Sequence, residues 1–314
     1  MRLPFNLKTI ANTYQPEAFV SGIVFARSQK HMPYFLSNYM RIAYDKNATV
    51  NLGYYIDNHL LKNHGLIKEE CAFISMKYAV KGVDFAQLAA RALDNGKYVF
   101  GAFNDGCIPG KSAYPNRYFW HDYLLYGYEK DEFISAAYLK DGFYREFKIN
   151  MQDYNRAMII KESDIFIYML EYDEQSELGF NLEMVKSGLY DYLTGKKLAE
   201  GEAVNGIRAF RRYADDLERF PESYPDKRYF CFAWEYKNLM RLRLEYMMEH
   251  NYILLSQEII EEYAEMTQKL HKGVLLALKY ALKPEREIVN RLIEIIRESA
   301  EQDERVVEMA LNQL

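Results

Sequence analysis

Cys107 and His121 are the residues of this sequence whose types and spacing point to covalent chemistry. A cysteine thiolate is a strong nucleophile, and a histidine within reach can take the thiol proton and later give it back. Cys107 sits in Asn104-Asp105-Gly106-Cys107-Ile108-Pro109-Gly110-Lys111, directly after the apolar run 97–103, and His121 stands at the start of the run 120–128. Glycine and proline around the thiol predict an accessible turn. The competing reading is a small buried thiol and an imidazole packed among Trp120 and Tyr123. For a third member, Asp141 is expected opposite His121 if the following hairpin turns near Lys130, where it would orient the imidazole. Asp122 alternates to the other face of the strand, while Asn104 and Asp105 border Cys107 and are further candidates to orient or polarise the site. His31, His59, His64, His250 and His271 have no evident partner in the sequence.

The elements that must position these residues read as mixed α/β in the first half. Residues 19–25 are an apolar run, strand or buried helix, which periodicity does not separate. Pro33 is placed to open a helix over 34–43, and 50–56 and 72–80 alternate as strands do. Asp84 is an N-cap for a helix over 85–93, with Asn95-Gly96 as its left-handed end. Strands are expected at 97–103, 120–128, 133–138 and 143–149, with Asp141-Gly142 in a tight turn, and a smaller set at 165–172 and 178–184. From about residue 200 the chain reads as helical: 203–219, 231–250, 256–282 with Ser256 as cap, and 285–314 after Pro284. Ile288, Leu292, Ile295 and Ile296 form the core stripe of the last helix.

Bulk properties exclude several classes. The 314 residues suit one large or two ordinary domains, and nearly half of them are apolar. A formal net charge of -5 speaks against a nucleic-acid partner. The basic clusters Arg208-Arg211-Arg212 and Arg241-Arg243 alternate with acids at helical spacing, as solvated helix faces do. Three cysteines, Cys71, Cys107 and Cys231, are too few for a disulfide scaffold or a zinc site; Cys71 and Cys231 fall in apolar or helical patterns and are expected in the core. No metal site is expected: the acids Glu258, Glu261, Glu262 and Glu265 lack a Glu-x-x-His partner. Neither a signal peptide nor a membrane span is read, so a cytoplasmic location is expected. There is no P-loop and no GxGxxG sequence, and no cofactor is expected. The 28 tyrosines suit half-wet cores and binding surfaces.

The run Asp94-Asn95-Gly96-Lys97, the strand 98–102, the Ile108-Pro109-Gly110-Lys111-Ser112-Ala113-Tyr114 loop and His121 to Tyr128 together resemble the butirosin biosynthesis protein H N-terminal family. These are papain-fold proteins of natural-product gene clusters, and a cysteine-protease-like enzyme that forms the amides of closthioamide is similar. Asn205 to Phe210 and Trp234 to Met240 resemble the tails of such proteins, so the likeness covers most of the chain. It implies an α+β fold: a papain-like core with an antiparallel sheet over 1–160, a connection over 161–200, and a helical region over 201–314. It also implies a cysteine-dependent acyltransferase that forms amide bonds in secondary metabolism. The acyl group would arrive as a phosphopantetheine thioester on a carrier protein and leave on a small amine, with Cys107, His121 and Asp141 as the catalytic set. A hydrolase using the same residues, or a non-catalytic scaffold that binds a carrier protein, are the alternatives. The carrier's acidic helix would meet the basic faces at Arg208–Arg212 or Arg241–Arg243. Two departures stand out. The fold's usual nucleophile opens the first long helix, yet residues 1–70 contain no cysteine, with Ser21 and Ser28 the nearby hydroxyls; and the strand after the histidine carries Ala136-Ala137 where an acid is usual.

Overall fold

The computed structural model describes residues 1–47, 52–54, 65–75, 83–159, 164–196, 203–220 and 225–314. In chain order, the first elements are helices α1 (Gln15–Phe25) and α2 (Met32–Leu36) and strands β1 (Ile42–Tyr44), β2 (Leu52–Tyr54) and β3 (Ile67–Ile74). Helix α3 (Phe85–Asp94) leads into β4 (Tyr98–Asn104), β5 (Trp120–Glu129), β6 (Glu132–Tyr138), β7 (Tyr144–Asn150), helix α4 (Met151–Met158) and β8 (Ile165–Tyr172). Helix α5 (Leu182–Thr194), the short β9 (Val204–Asn205) and helices α6 (Ile207–Arg219), α7 (Lys227–Glu249), α8 (Gln257–Leu282) and α9 (Arg286–Leu311) follow among the described residues. The protein is thus mixed α/β, with antiparallel sheets and a helical C-terminal region. It divides into two compact units, one of Met1–Gln29 with Asn58–Leu178, the other of Lys30–Asp57 with Gly179–Leu314. β8 is an interior strand of the first unit's sheet, and residues 30–57 fall in the second unit.

The first unit is built on a six-stranded sheet in the order β3-β8-β4-β5-β6-β7, with every pair antiparallel. Its central strands bury residues on both faces, because helices cover both. Phe19 of α1 meets Phe100 on one face. On the other, Tyr154 of α4 lies against Phe103 and Tyr123, and the Tyr123 and Tyr154 hydroxyls share a hydrogen bond of 2.7 Å. Residues of α1 are buried nearly throughout, which resolves the ambiguous run 19–25 as a helix enclosed on all sides. Helix α3 begins as expected, the Asp84 carboxylate accepting from the Gln87 N–H, and ends at Gly96 with φ +77°. Its cap extends across to α4, since Asn155 donates to Asp84 and accepts from the Ala86 N–H.

The second unit holds a three-stranded sheet, β2-β1-β9, and the long helices. The helix expected over 34–43 stops at Leu36, where the Ser37 hydroxyl turns back to the Pro33 carbonyl and Tyr39 takes a positive φ of 54°. The strand expected at 178–184 is the approach to α5, whose N-cap Asn181 accepts from the Met184 N–H. Ser256 caps α8 as expected, accepting from Ile259. Gly273 lets α8 approach α7: a Cβ there would stand 2.7 Å from the Phe230 ring. At the centre, Lys237 lies 2.5 Å from the Asp303 carboxylate, which also accepts the Tyr192 and Tyr263 hydroxyls, and all four groups are buried. Of the expected strands 50–56 and 72–80, residues 50–51, 55–56 and 76–80 lie outside the described residues. Among the described residues no helix is long and apolar enough to cross a membrane.

Candidate functional site

Strands β4 and β5 bring Cys107 and His121 to one end of the sheet. Their register pairs Phe103 with His121 and Asn104 with Trp120, so the last residues of β4 lie against the first of β5. Beyond Asn104 the chain makes a single 3-10 turn, Asp105–Cys107. Asn104 is the hinge of that turn. Its side-chain oxygen accepts from the Gly106 N–H at 3.0 Å and the Phe119 N–H at 3.1 Å, and its amide nitrogen donates to the Cys107 Sγ at 3.5 Å. The turn is tight enough to need glycine, because a Cβ on Gly106 would lie 2.3 Å from the Arg117 carbonyl. Cys107 is left half-exposed.

The carboxylate that meets His121 is Asp105. It is buried, 3% exposed, and its backbone N–H donates to the Phe119 carbonyl. Its Oδ2 stands 3.2 Å from the His121 Nδ1, while its Oδ1 stands 3.5 Å from the Lys111 Nζ. The contact is close without the alignment of a hydrogen bond, and Nε2 is the ring nitrogen left for a substrate or a thiol. Phe119 lies beside the imidazole with a ring separation of 5.4 Å, and the Arg117 guanidinium covers the Phe119 ring at 4.9 Å. Lys111 is 2% exposed, and burial holds its ammonium below the ordinary lysine pKa against the attraction of Asp105 and Asp122. Tyr114, Tyr118 and Trp120 stand exposed around residues 110–120.

Asp141, expected to orient the imidazole, is engaged elsewhere. In the turn between β6 and β7 it pairs with Arg145 at 2.5 Å and accepts from the Phe143 N–H at 3.2 Å. The neighbouring Lys140 N–H donates to the Gly110 carbonyl, so this turn braces the loop that follows Cys107. Register explains the exchange: Asp105 follows two residues after His121's cross-strand partner, Phe103, whereas Asp141 lies beyond the end of β6. Sequence reasoning named Asp105 as a neighbour of the thiol and missed Lys111 altogether. The Asn-Asp-Gly turn was the available signal for the first; a lysine in a Pro-Gly loop gave none for its burial.

The remaining thiols differ from Cys107. Cys231 is half-buried on α7, where burial pushes its pKa up to about 11, making it a poor nucleophile. Cys71, expected in the core, is exposed on β3. The basic clusters are largely consumed by acids: Arg211 pairs with Glu304, Arg212 with Asp216 at 3.0 Å and Arg241 with Glu245. Arg243 is buried, donating to the Leu36 and Asn38 carbonyls. Among the described residues no group of three or more His, Cys, Asp or Glu is arranged to hold a metal ion. Compared with known proteins, the chain matches no family model and no curated protein.

Proposed function

We propose that this protein is a cysteine-dependent acyltransferase that forms amide bonds from thioesters, with Cys107 as nucleophile, His121 as base and Asp105 as the carboxylate that orients it. The observation that carries the reading is the buried Asp105 carboxylate 3.2 Å from the His121 Nδ1, two residues before a half-exposed cysteine. In the reaction His121 Nε2 takes the thiol proton, and the Cys107 sulfur attacks the thioester carbonyl. The bond to the leaving thiol breaks, and that thiolate receives the proton from the imidazolium. An amine then attacks the acyl-enzyme carbonyl, the acyl–sulfur bond breaks, and His121 passes the amine's proton to the departing Cys107 thiolate. The thioester already stores the activation, so no nucleotide enters. The acyl donor is proposed to be carried on a carrier protein and the acceptor to be a small amine, as the family resemblance implies. Because Arg211, Arg212 and Arg241 are paired and Arg243 is buried, those clusters are not proposed as the carrier's receptor.

A second reading, a non-catalytic binding protein, is favoured by one observation. The Cys107 thiol is hydrogen-bonded to Asn104 and the imidazole faces Asp105, with no hydrogen bond between thiol and ring. Thiol release from a panel of acyl thioesters, with and without amines, separates the two. The acyltransferase releases thiol, yields more amide than acid, and loses both with Cys107→Ala and with His121→Ala. Equal release by the native chain and both variants overturns it.

A further inference from the structure

Helix α8 carries apolar residues on its outer face towards the C-terminal end. Leu270, Gly273 and Ala277 turn inward and are buried, but Leu275, Leu278 and Leu282 follow in three- and four-residue steps on the outward side, 59%, 42% and 89% exposed. An outward helix face ordinarily carries polar side chains, and a contiguous exposed apolar strip marks a contact surface. Helix α7 borders the strip and runs antiparallel to α8: Gly273 meets the Phe230 ring, and His271 lies against the Trp234 ring at 4.9 Å. Lysines edge the strip on both sides. Lys272 and Lys279 stand one turn before and one turn after Leu275, and Lys227 stands two turns before Trp234 on α7. All three are exposed, and among the described residues none of them makes an ion pair. The acids nearest to them in the chain, Asp226 and Glu285, are held by Arg228 and Lys283. We infer that this strip is a docking site for an amphipathic helix of a partner protein, its apolar ridge seated along Leu275, Leu278 and Leu282 and its acidic flanks on Lys227, Lys272 and Lys279.

Spacing and charge decide the occupant. Leucines at alternating three- and four-residue steps are the pattern with which one helix packs along another. Unpaired lysines on both edges add attraction only for a partner that brings acids of its own. A second copy of this chain, its leucines matched to these, would instead set a second row of lysines on the same strip. An anionic membrane is disfavoured by the way the face continues. Glu261 and Gln268 precede Leu275 at seven-residue steps, so α8 laid on a bilayer would bring Glu261 against it. Docking here does not depend on the chemistry proposed for Cys107.

The probe is a synthetic helical peptide of about four turns with leucines at the same spacing and glutamates on both sides of them, set against its counterpart with glutamine at each glutamate. Trp234 fluorescence in the full chain, in a Trp120→Phe background, reads the strip directly. The glutamate peptide is expected to bind saturably and about tenfold more tightly than the glutamine peptide at low salt, the difference closing as salt is raised. Leu278→Ser is expected to weaken binding about tenfold or more, and Lys272→Gln with Lys279→Gln to remove most of the preference for glutamate. These side chains are exposed, so the urea midpoint is expected to stay at the native value. Should Leu278→Ser fail to fold, the two peptides and the salt series on the native strip decide alone. No saturable change, equal binding of the two peptides, or an affinity untouched by a folded Leu278→Ser overturns the proposal. So does a native dimer in sedimentation equilibrium that Leu278→Ser dissociates, which gives the strip to a second copy. Flotation with phosphatidylserine vesicles that Leu278→Ser abolishes overturns it too and gives the strip to a membrane.

Discussion

At the scale of single residues, the site separates a positioned histidine from its neighbours by which carboxylate it meets. Asp105 is buried and faces the ring, whereas Asp141 is partly exposed and paired with Arg145. Asp105→Asn is therefore expected to lower thioester turnover on the order of 10²-fold, the low end of what an oriented acid–base group contributes. Asp141→Asn is expected to stay within about twofold of the native rate, because a partly exposed ion pair contributes little. Equal losses in the two variants, measured as initial rates of thiol release, would return Asp141 to the site. The residue scale is also where the sequence was least legible. Cys107 and His121 stand out by type, but the acid that faces the ring depends on strand register, and a buried lysine cannot be told from a solvated one by its neighbours in the chain.

At the scale of elements, the site depends on how β4 ends. Asn104, Gly106 and the carbonyls and amides of residues 117–119 form one knot, closed by the Asp105 N–H to the Phe119 carbonyl. Gly106→Ala forces a methyl group against the Arg117 carbonyl. It is expected to destabilise the first unit by about 1–3 kcal/mol, the usual range for overpacking, and to displace Asp105 from His121. Denaturant unfolding together with the turnover rate checks it, and an unchanged variant would show that the turn tolerates a side chain. Elements with a clear period or cap were legible: the Asp84-capped α3, the strands β4 to β7, and the Ser256-capped α8. Those without one were not. Helix α1 is buried on nearly all sides and carries no period, the helix after Pro33 is cut short by the Ser37 hydroxyl, and the alternation at 178–184 belongs to the approach to α5, whose start is set by Asn181. The Met151–Met158 helix, capped by Asn150, went unread although it supplies the Tyr154 floor beneath Phe103 and Tyr123.

At the scale of the whole molecule, the helical unit carries its own test in the Lys237–Asp303 pair. Burial brings the Lys237 pKa down to about 8, against the attraction of Asp303. A lysine with a lowered folded pKa keeps its proton longer in the unfolded chain, so from this group stability rises as pH climbs from about 8 towards the ordinary lysine value. The buried hydroxyls of Tyr192, Tyr236 and Tyr263 have raised pKa values and oppose this only above about pH 10, where unfolded tyrosines ionise. Between pH 8 and 9 the unit is expected to gain stability. Trp234 lies on α7, so its fluorescence during urea unfolding in a Trp120→Phe background reads that unit. A slope that falls with pH, or one unchanged in Lys237→Met, would contradict the assignment.

The most direct measurement of the central claim is the intact mass of the chain after brief exposure to acyl thioesters without an amine. A single acyl increment is expected on the native protein, absent from Cys107→Ala and greatly slowed in His121→Ala, and discharged when an amine is added. An increment that persists in Cys107→Ala, or no increment with any thioester, would contradict it.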